Sequence, residues 1–95
     1  MSETVVEIKG DFSLDQIELQ IRDKELAFWK FVGSSVGENE GRVTNLASFT
    51  RLQIGQVPPE PKLLGADQPP PAGKLKAWAG VILAENKAQS VILYR

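Results

Sequence analysis

Trp29, Phe31, Trp78, Lys76, Pro59 and Pro61 are the residues whose type and spacing offer chemistry, and that chemistry is recognition by contact rather than reaction. Trp29 and Phe31 sit on one parity of the densest apolar stretch, Leu26-Ala27-Phe28-Trp29-Lys30-Phe31-Val32, with Leu26, Phe28 and Val32 on the other. A strand apolar on both faces is either covered twice or presents one face to a partner. Trp78 has Lys76 and Gly80 as its same-face neighbours. A tryptophan beside a lysine suits an interface anchor or a stacking platform for a base. The competing reading packs Trp29 and Phe31 into the chain's own core and Trp78 beneath a proline-lined loop. Pro58-Pro59-Glu60-Pro61-Lys62 holds a P-x-x-P spacing followed by a cation, a pattern that docks in aromatic grooves and is also common by chance.

Reactive side chains are scarce. The chain has no histidine and no cysteine, which removes the usual neutral-pH base, the thiolate nucleophile, disulfides and thiolate metal sites. No G-x-x-x-x-G-K-[ST] order occurs. Glu38-Asn39-Glu40-Gly41 lacks the ligand spacing of a calcium loop and reads as a solvated acidic turn. No catalytic residue, metal or cofactor is expected.

Ninety-five residues fit a single domain over 1–95, with an apolar fraction of 42% and a charged fraction of 24%, both ordinary for a folded chain. Eleven basic and twelve acidic side chains leave a net charge of −1 with no basic run. Nucleic-acid binding requires a local excess of Lys and Arg, so it stands second: a small barrel using Trp78, Lys74, Lys76, Arg42 and Arg51 on a single strand. The start of the sequence shows no basic segment followed by an apolar run, and no apolar stretch is long enough to span a bilayer. A cytoplasmic protein without membrane contact is expected.

All six prolines fall between residues 58 and 71. They make 57–73 an internal loop rather than a linker, because the 22 residues after Gly73 are too few for a core of their own. Leu63-Leu64 is expected to pin that loop to the body. Residues 74–95 read as a β-hairpin with a turn over 85–88, its first strand turning Leu75, Ala77, Ala79, Val81 and Leu83 to one face. Residues 4–9 form a strand, Gly10-Asp11 a primed turn, and 43–54 a strand in preference to a helix capped by Thr44. Residues 33–41 read as loop.

Two readings compete for 14–32. Ser13-Leu14-Asp15-Gln16 fits the capping box of a helix. Such a helix carries Lys24 or Glu25 across its apolar stripe, whereas Ile17, Leu19 and Ile21 alternate cleanly with polar residues as a strand does. The strand is preferred. The fold expected is therefore mainly β, an antiparallel sandwich or barrel of about six strands with a proline-rich internal loop; the alternative is α+β with a helix near 14–32. The expected role is a non-catalytic protein-binding or assembly module working through an apolar β surface, its partner another protein or a second copy of itself.

Overall fold

Ser13 starts a helix, not a strand. In the computed structural model, which describes residues 3–95, Ser13 Oγ accepts from the Gln16 backbone at 3.2 Å and Gln16 Oε1 accepts from the Ser13 backbone at 2.9 Å. The reciprocal pair satisfies two of the donors that a helix start leaves open. Helix α1 runs Leu14–Leu26 and buries Ile17, Ile21 and Glu25, one residue per turn. Leu19 is 50% exposed while Ile17 and Ile21 are sealed, so the alternation read as a strand is overturned. The polar residue that counted against a helix, Glu25, is buried as one half of an ion pair with Arg95. Phe28, at φ 68°, turns the chain out of the helix in the left-handed conformation, with its N–H on the Glu25 carbonyl at 3.0 Å. Ser13→Ala is expected to lower stability by about 1 kcal/mol, read as a shifted urea midpoint with an unchanged slope.

Six strands accompany the helix: β1 Glu3–Ile8, β2 Trp29–Asn39, β3 Arg42–Arg51, β4 Lys62–Gly65, β5 Lys76–Ala84 and β6 Lys87–Tyr94. They form two antiparallel sheets, in the orders β1-β3-β2 and β4-β6-β5. The fold is thus mainly β, as read from the sequence, but the sheets stay open rather than closing as a barrel. β2 faces β5 across the join, and α1 packs on β2 and β4. The buried cluster draws Ile8, Phe31, Ala47 and Phe49 from the first sheet, Leu63, Ile82, Val91 and Leu93 from the second, and Ile17 and Ile21 from α1.

Four local expectations are corrected. Residues 33–41 are not a loop: β2 pairs with β3 through Asn39, and only Glu40 and Gly41, both at positive φ, make the turn. The glycines that suggested a break give room to neighbours. A Cβ on Gly37 would come within 2.7 Å of Leu46 Cδ1. Gly10-Asp11 makes no hairpin either; it leads into α1, and the Gly10 and Phe12 carbonyls accept from Asn86 and Glu85 at the tip of the β5–β6 hairpin.

The third correction concerns the 74–95 hairpin. It forms, with a tighter turn at Glu85-Asn86, but its faces are reversed. Lys76 pairs with Tyr94 and Trp78 with Leu93, so Ala77 is the extra residue of a bulge. Beyond it Trp78, Gly80, Ile82 and Ala84 face inward beside Leu93 and Val91, and Ala79, Val81 and Leu83 face the other way. The fourth lies within 57–73, which carries β4. Leu63 is 1% exposed and holds the segment to the core, while Leu64 alternates to the outer side.

Candidate docking surface

The second sheet is apolar on both faces. Antiparallel register places Leu64, Ile92 and Ala79 in one row across its three strands on the outer side. Val81 continues that surface beside Ser90, and Leu83 lies beside Ala88. Ala79 is exposed and Val81 is 45% exposed, while Leu64 and Ile92 are half-buried. A sheet with one face in water ordinarily alternates apolar with polar residues. Here Ser90 is the one polar residue in the middle of the outer side.

Lysines mark one end of this surface. Lys62 and Lys76 stand opposite Tyr94, one on each neighbouring strand. Lys62 Nζ lies 3.7 Å from Glu18 Oε1, whereas Lys76 takes part in no ion pair among the described residues. The charge follows the chain's halves. Residues 57–95 carry five basic and three acidic side chains, residues 1–56 six and nine.

The residues singled out from the sequence separate into three groups. Lys76 is exposed beside the apolar outer surface. Phe31 and Trp78 are turned inward. Phe31, 3% exposed, meets Trp78 and Phe49 edge-on at ring distances of 5.2 and 5.7 Å. The Trp78 ring lies over Gly80, where a Cβ would stand 2.4 Å away, and its Nε1 would stand 3.2 Å from a Cβ on Gly33. These two glycines leave the width that the indole fills between β2 and β5. Trp78 is half-buried and packs edge-on against Phe31. Trp29 is half-buried, with the Arg51 guanidinium over its ring at 5.1 Å.

The proline segment is fastened down. Pro61 is buried and Pro59 exposed. Arg95 Nη1 donates to the Pro59 carbonyl at 3.2 Å, Lys74 Nζ to the Glu60 carbonyl at 2.7 Å, and Arg22 pairs with Glu60 at 3.0 Å. Leu64, Ala79, Val81 and Ile92 were not picked out as a surface from the sequence. The signal was present: residues 75–83 and 78–84 offer two apolar stripes of opposite parity, and only one can face the core.

Among the described residues no group of three or more acidic side chains is placed to hold a metal ion, and every buried side-chain polar atom has a partner. No helix among them is long and apolar enough to cross a membrane. Comparisons with protein-family models, curated proteins and solved structures found no match.

Proposed function

We propose that this chain is a protein-binding or assembly module without catalysis of its own, docking through the outer side of the β4-β6-β5 sheet. One observation carries the reading: that sheet has aliphatic residues on both sides, and on the outer side Ala79 and Val81 stand exposed next to Leu64 and Ile92. Apolar area removed from water contributes roughly 25 cal/mol per Å², so covering this row favours association. Lys62 and Lys76 set the polarity of the fit. A partner surface apolar at its centre and carboxylate-bearing at the Tyr94 end complements it.

Two measurements test the proposal. Sedimentation from dilute to concentrated protein reads self-assembly; Ala79→Glu/Val81→Glu is expected to abolish any rise in mass while leaving circular dichroism unchanged, since both positions are exposed. A benzophenone side chain at position 81, compared with one at position 48 on the other sheet, reads docking to a different protein. Crosslinks specific to 81 that vanish when Ala79→Glu is added are expected. A monomer at every concentration, with equal crosslinking at 81 and 48, overturns the reading.

A further inference from the structure

A groove of about 310 Å³ opens between α1 and β1, away from the surface just described. Val6, Ile8 and Phe49 make its apolar floor. Gln20, Asp23, Lys24 and Ala27 line its wall, spaced three and four apart so that they share one stripe of the helix. The gap exists because α1 packs on β2 and β4 and stands off from β1.

β1 is also the edge of its sheet. Among the described residues it pairs with β3 alone. Along an edge strand, alternate residues turn their N–H and C=O groups away from the sheet, and only another extended chain satisfies such a row. A strand laid on this edge continues the sheet at the usual spacing of about 4.8 Å, with every second side chain on the Val6 and Ile8 side, over the groove.

Charge narrows the occupant. Glu3, Val5 and Glu7 form the other side of β1. Glu3 is exposed, and Glu7 lies 3.8 Å from Arg42. A second copy of β1 in antiparallel pairing, Val5 opposite Val5, sets Glu3 against Glu7, and like charges directly opposite are unfavourable. In that register the edge discourages pairing with itself. A strand with Lys or Arg at the alternate positions meets complementary charge there.

We infer that the β1 edge and the α1–β1 groove bind an extended partner segment, apolar on one side and basic on the other, by strand addition. The segment's apolar side chains enter the groove over Val6, Ile8 and Phe49. Its cations face Glu3 and Glu7.

The test uses the whole chain and two short acetylated peptides, one alternating valine with lysine and one alternating valine with glutamate. Amide exchange followed by NMR reads the contact. The lysine peptide is expected to slow exchange at the β1 amides that face away from β3, and to bind about tenfold more tightly than the glutamate peptide, as two favourable cross-strand pairs exchanged for repulsive ones imply. Glu3→Lys/Glu7→Lys is expected to reverse the preference. Gln20→Trp, which fills the groove from a helix surface, is expected to abolish binding without unfolding the chain. Ala79→Glu/Val81→Glu is expected to bind the peptide as the wild type does, which separates this site from the outer surface of the other sheet. Unchanged β1 exchange, equal affinity for the two peptides, or binding indifferent to Gln20→Trp overturns the inference.

Discussion

Arg95→Ala is expected to destabilise the fold by about 3–5 kcal/mol, the usual consequence of leaving one member of a buried ion pair alone. The Arg95 guanidinium meets the Glu25 carboxylate through both nitrogens, with Nη1 at 2.7 Å from Oε1 and Nη2 on Oε2. Side-chain exposure is 11% for Arg95 and 3% for Glu25. Glu25 Oε2 also accepts the Phe31 N–H at 2.9 Å, and Arg95 also donates to Pro59. One pair thus joins α1, the start of β2, the proline segment and the end of β6. A small domain has only about 5–15 kcal/mol in total, so the loss is a large share. Guanidinium denaturation measures it.

The pair need not be better than apolar packing, and a second variant separates the two ideas. Removing both charges together is often neutral where removing one is costly. Glu25→Met would strand the Phe31 N–H, whereas Glu25→Gln keeps an acceptor for it. Glu25→Gln/Arg95→Met is therefore expected to recover most of the stability lost in Arg95→Ala. Equal losses in the two variants would show that the geometry, not the isolated charge, is what the fold requires.

That same pair explains why α1 was misread. An acidic residue in an apolar stripe counts against a helix unless its partner is known, and Arg95 lies 70 positions away in sequence. Tertiary contact overrode local pattern at that residue. β1 and β3 were legible as strands from their β-forming residues, but the even positions of β3 from Leu46 to Thr50 are only half-buried, and Asn45, Ala47 and Phe49 are the ones sealed in the core. The 33–41 segment was not, because glycine signals both a break and a close approach, and only the Leu46 and Trp78 side chains above Gly37 and Gly33 distinguish the two. Likewise Leu75, Ala77, Ala79, Val81 and Leu83 gave the right strand and the wrong side, because 78–84 is apolar at both parities; the bulge at Ala77 only breaks the register between Lys76 and Trp78. Phe31 was recognisable as a special residue, but its identity did not say whether it faces a partner or Phe49. Nothing local marks Val6, Ile8 and Gln20 as walls of one groove, since helix and strand meet only through the fold.

Asn45→Ala is expected to cost about 2–4 kcal/mol, because it leaves two backbone groups of Leu83 without partners at roughly 1–3 kcal/mol each. Asn45 is 1% exposed on β3 and reaches across the join between the sheets. Its Oδ1 accepts the Leu83 N–H at 2.7 Å, and its Nδ2 donates to the Leu83 carbonyl at 2.8 Å and the Ile8 carbonyl at 3.1 Å. The Ile8 carbonyl keeps the Thr44 hydroxyl at 3.2 Å, so the loss falls on β5. Asn45→Asp sharpens the argument. The new carboxylate can still accept from Leu83, but its other oxygen confronts two carbonyls, which favours the protonated form and raises its folded pKa above the unfolded value of about 3.9. A raised folded pKa means stability present below the unfolded pKa and lost as pH rises through the folded one. The deficit of Asn45→Asp relative to wild type is therefore expected to grow from pH about 4 to pH about 7, while that of Asn45→Ala stays level. Urea titrations of the three proteins at both pH values measure this. A level deficit for Asn45→Asp would show that the amide's two donated bonds, to Leu83 on β5 and Ile8 on β1, do not hold these strands to β3.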